Sequence, residues 1–179
     1  MLAILRRAAM VSAFFFVLLG LAYPLAATGI GHMFFTSQVN GSLTKNGSAL
    51  VGQSWTGPQW FHGRPDADNP MATGGTNLGP RSKELARSVS GQIAALKKAG
   101  TTPTPGLVTT SGSGVDPDIS PADAYAQVSA VAKASGLQAS RVRQLVTNQI
   151  QPAQFGFLGS SYINVLQLNE ALQALGTAR

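Results

Sequence analysis

The chain has no cysteine and only two histidines in 179 residues. Without thiols there can be no disulfide, no lipid-modified cysteine and no thiolate zinc site, so an exported domain must stand on its apolar core. Charge is also sparse: Asp, Glu, Lys and Arg make up 11% of the sequence. The 13 basic residues exceed the 7 acidic ones, but they are scattered, with Lys97-Lys98 and Arg141/Arg143 as the densest clusters. A nucleic-acid surface needs a clustered basic stripe, which this distribution does not provide. What the sequence does contain is one long gap in charge, the 24 residues from Ala8 to Gly31.

As a helix that stretch is about 36 Å long, enough for a hydrocarbon core of ~30 Å. Arg6-Arg7 just before it belongs on the cytoplasmic side of the membrane, which exports the rest of the chain. A secretory signal has an apolar region of roughly 7–15 residues. Met10 to Leu25 alone is longer, so the segment reads as a permanent single-pass anchor; the alternative is a cleaved signal, for which Ala26-Ala27-Thr28 offers small residues. The expected organisation is a cytoplasmic N-terminus (1–7), a transmembrane helix (8–31), a juxtamembrane connector (32–48) and an extracytoplasmic domain (49–179). Gly20, Ala26 and Ala27 are small enough to let a partner helix approach closely, or they simply face lipid. Pro24 is expected to kink the last turn.

Beyond the span, Asn40-Gly41 and Asn46-Gly47 mark turns in the connector. Short strands are expected at Ala49–Gln53, Gln59–His62 and Leu107–Thr110, with Phe155–Gly159 and Tyr162-Ile163 as strand or loop-strand material. Residues 63–81 form a long irregular stretch of the kind that carries function or an interaction surface. Helices are expected from Ser82 to Gly100, from Ser120 to Gly136, from about Ser140, and from Asn164 to Gly176. The Ser120-Pro121-Ala122-Asp123 start is the strongest of these, with a cap, a proline at the first position and an acid at the third. Strands and helices are mixed without an internal repeat, giving an α/β class (α+β possible) in a single compact exported domain.

The residues offer little chemistry. His62 is the one histidine away from the membrane boundary, and Gly112-Ser113-Gly114 lacks the full G-x-S-x-G pattern of a nucleophile elbow. Asp66 with Asp68, or Asp116 with Asp118, could offer oxygens to a hard cation, but neither pair has the remaining ligands of a calcium loop. Gly74–Gly79 and Ser111–Gly114 expose backbone N–H groups that could form anion nests, without a phosphate-binding lysine after them. Arg64, held in His62-Gly63-Arg64-Pro65, suits a carboxylate or carbonyl as well as a phosphate. No catalytic residue, cofactor site or metal site emerges.

Taken in order, several segments resemble the KdpC family, the C subunit of the Kdp-type potassium-transporting P-type ATPase. They are Gly52-Gln53-Ser54-Trp55, Trp60-Phe61-His62-Gly63-Arg64-Pro65, Gly74-Gly75-Thr76-Asn77-Leu78-Gly79-Pro80 and Thr110 through Pro121. Gly156-Phe157-Leu158-Gly159 and Asn164-Val165-Leu166 with Leu168-Asn169 complete the series. Departures are small: Thr73 stands where a Ser often precedes the glycine pair, and Asp118 where the family often has His.

This resemblance implies a non-catalytic accessory subunit of a high-affinity, ATP-driven potassium import pump. It would support assembly and raise the ATP affinity of the catalytic subunit, as a catalytic chaperone. The implied partners are a channel-like potassium-translocating subunit, the P-type ATPase subunit, a small hydrophobic subunit and membrane lipid, with no nucleic acid. Family descriptions add ATP binding, which an exported domain lacking a phosphate lysine does not suggest. Gly20, Ala26, Ala27, His62, Arg64, Asn77, Ser111 and Ser113 are the candidate subunit-interface residues. The different-class alternatives are a membrane-anchored extracytoplasmic enzyme, requiring His62 and Ser113 in contact, and a solute-binding or scaffold domain.

Overall fold

The computed structural model describes residues 1–66, 69 and 72–177; Asp68 therefore lies outside the described residues. Two compact units are present, Met1–Ser42 and Leu43–Arg179.

In the first unit, α1 (Leu2–Val17) runs through a π-helical turn (Leu18–Ala22) into α2 (Tyr23–Phe34). The continuous helix is 33 residues long and apolar enough to cross a membrane. Pro24 does not break its outer end, since α2 continues to Phe34. The disturbance lies upstream: Pro24 has no N–H to offer the Gly20 carbonyl, and the wider π turn around Gly20 makes room for its ring. Next comes a one-turn helix, α3 (Thr36–Val39), with Thr36 Oγ1 donating to the His32 carbonyl at 2.7 Å.

The second unit opens with a small antiparallel hairpin, β1 (Leu43–Thr44) against β2 (Gly47–Ser48). After the irregular stretch come α4 (Lys83–Lys98), the single turn α5 (Pro105–Val108) and β3 (Asp118–Ile119). The helices α6 (Pro121–Ser135) and α7 (Ala139–Asn148) lead to β4 (Ile163–Asn164) and α8 (Val165–Thr177). β3 pairs antiparallel with β4, Asp118 opposite Asn164 and Ile119 opposite Ile163. Helices and strands are mixed in one unit, as the class predicted, with the strands short and antiparallel.

Local chemistry accounts for the helix ends. Ser82 Oγ accepts from the Glu84 and Leu85 amides at 3.2 and 3.4 Å. At α6 the capping box is complete: Asp123 N–H reaches Ser120 Oγ at 3.2 Å, and Ser120 N–H reaches Asp123 Oδ2 at 3.1 Å. Gly136 ends α6 in the left-handed region, φ 68°, where a side chain would be strained. α7 starts one residue earlier than expected, after Gln138 and without a side-chain cap. Asn164 caps α8 as predicted, its Oδ1 accepting from Gln167 N–H at 3.3 Å.

The core joins α6, α7 and α8 around Phe61, Val131, Val142, Val146, Ile163 and Leu168, each buried almost completely. Burying side chains of this size stabilises by about 1.5–3 kcal/mol each. Phe61, outside any helix, sits at the centre, and the groups that hold it there also organise the unit.

Several expected strands are not strands. Ala49–Val51 is a turn region, tied in by Gly52 N–H donating to the Val115 carbonyl at 2.8 Å. Leu107–Val108 belongs to α5, whose helical start is favoured by Pro105 at its first position. Phe155–Leu158 forms a tight turn closed by the Gln154–Leu158 bridge, with Phe155 at φ 53° and Gly156 at φ 82°.

Candidate functional site

Phe61 and His62 were expected to pair in a sheet. They pair instead with side chains. Asn169 of α8 accepts from Phe61 N–H through Oδ1 and donates through Nδ2 to the Phe61 carbonyl, both at 2.9 Å. Gln127 of α6 repeats the arrangement on His62, at 2.8 Å to the amide and 3.0 Å to the carbonyl. A carboxamide carries one acceptor and two donors, so it offers a backbone the same complement that a neighbouring strand would. Both amides are buried, Asn169 completely. Two helices thereby grip one extended segment without a sheet, and they fix the direction in which the chain leaves it.

The chain leaves it through Gly63-Arg64-Pro65-Asp66, whose two charged side chains organise residues 109–116. The Arg64 guanidinium donates to the Thr110 carbonyl at 2.9 Å and to the Thr109 carbonyl and hydroxyl at 3.3 Å. It also lies 3.8 Å from Asp116 Oδ2, a half-exposed ion pair of modest worth. Asp66 accepts from Ser111 N–H at 2.7 Å, Ser111 Oγ–H at 2.6 Å and Asp116 N–H at 3.1 Å.

The second glycine-rich loop is satisfied from within. Gly114 N–H donates to Ser111 Oγ at 2.9 Å, Val115 N–H to Ser113 Oγ at 3.3 Å, and Asp118 N–H to Asp116 Oδ1 at 3.1 Å. The loop also closes on the first one: Gly74 N–H reaches the Ser113 carbonyl at 2.6 Å. A Cβ on Gly114 would stand 2.6 Å from the Gly74 carbonyl oxygen, and Gly114 is left-handed at φ 72°. Absence of side chains here serves close backbone approach. The anion in this nest is the chain's own Asp66.

The candidate interface residues thus fall into three groups. Arg64, Ser111 and Ser113 meet in the Asp66 cluster, with Ser111 buried. His62 and Asn77 are exposed, His62 with Nε2 3.1 Å from the Gly57 carbonyl and Asn77 in the left-handed region at φ 55°. Gly20, Ala26 and Ala27 belong to the first unit, Gly20 inside the π turn. The enzyme alternative required His62 and Ser113 in contact. Each has its own partners, Gly57 for one and Ser111 with Val115 for the other, and neither bonds the other.

An open cleft of about 470 Å³ adjoins the cluster, lined by Arg64, Asp116, Asp118, Asp123, Ser160 and Tyr162 among others. Burial pushes the Asp118 carboxyl above its ordinary value of 3.8; the Asn164 side-chain bond opposes the push and neighbouring Asp116 adds to it. Asn164 Nδ2 donates to Asp118 Oδ1 at 3.0 Å and to the Ala49 carbonyl at 2.9 Å, so Asp118 is engaged across β3 and β4. Asp123 likewise works inward, accepting from Thr104 Oγ1 at 2.5 Å as well as capping α6. Gln127, Asn169 and Asp66 are the organising residues that sequence reasoning did not single out as such. The usable signal was polar: Gln127 and Asn169 each interrupt the apolar face of a helix.

These features define a protein with one N-terminal helix long and apolar enough to cross a membrane and one compact α+β unit knit together by side-chain amides and a caged carboxylate. The profile of the K+-transporting ATPase c chain, KdpC, matches residues 5–174. The chain is 43% identical over 191 residues to the potassium-transporting ATPase KdpC subunit of Allorhizobium ampelinum, covering 100% of both. It is 49% identical over 173 residues to the KdpC subunit of Burkholderia ambifaria, covering 89% of this chain and 90% of that one. With the KdpC subunit of Caulobacter vibrioides the identity is 44% over 186 residues, 97% and 94% of the two chains. The chain belongs to the KdpC family, and is a subunit of a potassium-transporting ATPase.

Proposed function

We propose that this chain is the non-catalytic accessory subunit of a high-affinity, ATP-driven potassium import pump. In this reading it supports assembly of the complex and raises the ATP affinity of the catalytic subunit. The observation that carries it is the family match across both units, from residue 5 in the span to residue 174 in α8. The anchor enters the cell (inner) membrane with Arg6-Arg7 in the cytoplasm, and Leu43 onward is extracytoplasmic. Its partners are the channel-like potassium-translocating subunit, the P-type ATPase subunit and the small hydrophobic subunit.

In this proposal ATP belongs to the catalytic subunit. The amides at 111, 114, 115 and 116 that a phosphate would need are already donating to Asp66, Ser111 and Ser113. The rigid cluster instead shapes an outer surface on which exposed His62 and Asn77 meet the potassium-translocating subunit, while Gly20, Ala26 and Ala27 meet its helices.

Two measurements test this. Deleting the gene should abolish growth at micromolar potassium while the other subunits are still transcribed; normal growth would remove the proposal. Because the chain has no cysteine, Asn77→Cys places a single crosslinker on the surface. Crosslinks to extracytoplasmic loops of the potassium-translocating subunit are expected, and crosslinks confined to the cytoplasmic ATPase domains would overturn the assignment.

A further inference from the structure

The acidic and basic residues of the second unit are put to opposite uses. The carboxylates of Asp66, Asp116, Asp118, Asp123 and Glu170 are each engaged by another group of the unit, Ser111, Arg64, Asn164, Ser120 and Asn46 respectively. Five of the cations, Arg81, Lys83, Arg87, Lys97 and Lys98, lie in or just before α4, and all five are exposed. Among the described residues the one ion pair is Arg64–Asp116, so none of these five has a described carboxylate within 4.0 Å. Against them the segment 81–98 holds a single acid, Glu84; from residue 35 onward the remaining cations and acids number six each. The whole positive excess of the second unit thus sits on one segment, which the linear sequence had presented as scattered charge.

α4 also orders that charge. At about 100° per residue, Lys83, Arg87, Lys97 and Lys98 share an arc of about 100°, running about 22 Å along the axis. Leu85, Val89, Ile93 and Leu96 occupy a separate, half-buried stripe turned toward the unit. Between the paired cations the exposed face carries only Ser90, Gly91 and Ala94. It has no aromatic or large apolar anchor of the kind that concentrates binding energy in a protein–protein interface. A flat, anchorless, cationic face fits a layer of negative charge rather than a shaped pocket.

We propose that this face of α4 binds the anionic phospholipid headgroups of the bilayer that holds the chain's own span. Eight residues, 35–42, separate the span-forming helix from the second unit. Covalent geometry alone limits that tether to about 30 Å when fully extended. Tethering turns a weak, salt-sensitive attraction into an intramolecular one at high effective concentration. An acidic surface on a partner protein is the competing occupant. The face offers such a partner no anchor residue, and this occupant becomes an outcome of the test.

The test uses the full chain in nanodiscs, with Ala94→Cys on the proposed face carrying a donor fluorophore and the acceptor on lipid headgroups. At about 50 mM salt, energy transfer in discs containing anionic phosphatidylglycerol should exceed that in phosphatidylcholine discs by about 1.5-fold or more. The excess should vanish near about 500 mM salt, where screening shortens the reach of each charge. The fourfold variant Lys83→Gln, Arg87→Gln, Lys97→Gln, Lys98→Gln alters only exposed side chains, and its helix content is checked by circular dichroism. It should give the phosphatidylcholine value in both lipids. Equal transfer in the two lipids would overturn the proposal, as would an excess that survives in the fourfold variant. So would an excess that appears only when an acidic partner subunit is added, which assigns the face to protein.

Discussion

Two helices of the second unit, α4 and α6, look alike as sequence and behave differently as structure. They are 16 and 15 residues long, both start on a serine cap, and both carry lysine in the last turn. α6 buries Asp123, Ala124, Gln127, Val128, Val131 and Ala132, whereas α4 buries none of its residues. Its apolar stripe is half covered, and the cleft beside it, about 250 Å³, is lined by Gln92 and Leu96 together with Trp55, His62 and Arg64. Caps and periodicity state that a helix forms and which side turns inward. They do not state how much lies on the other side of that face. The difference separates a helix that holds the fold from one that is free to serve a surface.

The comparison can be broken at its strongest point first. Asn169→Ala removes the two bonds that grip Phe61 and leaves a buried amide and carbonyl unpaired. The loss of stability should be about 2–5 kcal/mol, read by denaturant unfolding of the detergent-solubilised chain. No α4 substitution should approach that value. Next come two glycines of opposite consequence. Gly114→Ala drives a methyl into the Gly74 carbonyl at a left-handed position and should cost about 2 kcal/mol. Gly91→Ala, with open space around it, should instead stabilise by about 0.5–1 kcal/mol through helix propensity. A third pair measures packing directly: Val131→Ala in α6 should cost about 2 kcal/mol and Leu85→Ala in α4 clearly less, since a half-exposed side chain forfeits less burial. Amide hydrogen exchange should rank the helices the same way, with α4 opening more readily than α6. Equal losses for the third pair would end the distinction.

The smallest effect concerns pH. Asp118 has a raised folded-state pKa, so the folded form binds its proton more tightly than the unfolded form does. Its contribution is fully present below the ordinary value of 3.8 and is lost as pH rises through the raised folded value. At neutral pH the half-buried charge therefore counts against the fold. Asp118→Asn retains an oxygen to accept from Asn164. It should raise the melting temperature slightly at neutral pH and remove part of the pH dependence just above 3.8, both visible in thermal melts across that range.

Much of this was legible in the sequence because it is local. The serine caps, Gly136 after α6, Asn164 before α8 and the inward faces carrying Val128, Val142, Val146 and Leu168 follow from neighbours within one or two turns. The expected strands failed where the partner is remote. Gln59–His62 has the composition of a strand, but the groups satisfying Phe61 come from Asn169, 108 positions away, through a side chain. No periodicity announces that. Leu107–Thr110 reads as a β-rich run, yet Pro105 starts a helical turn, and Arg64 captures Thr109 and Thr110 from 45 and 46 positions away. For the site, the motif order identified the family, and Arg64, Ser111 and Ser113 stood among eight interface candidates with nothing to say that they meet. Their organiser, Asp66, was read only as half of a carboxylate pair, because its role exists only once the two loops have been brought side by side.

That carboxylate has a kinetic meaning as well. A nest filled by a dissolved anion opens and closes with the concentration of that anion and responds to whatever the compartment contains. A nest filled by a residue of its own chain has a ligand that cannot diffuse away, present at a local concentration no solute reaches. The loop from Ser111 to Asp116 should therefore keep one shape whether its surroundings are rich or poor in phosphate. Its ligand was supplied once, by folding.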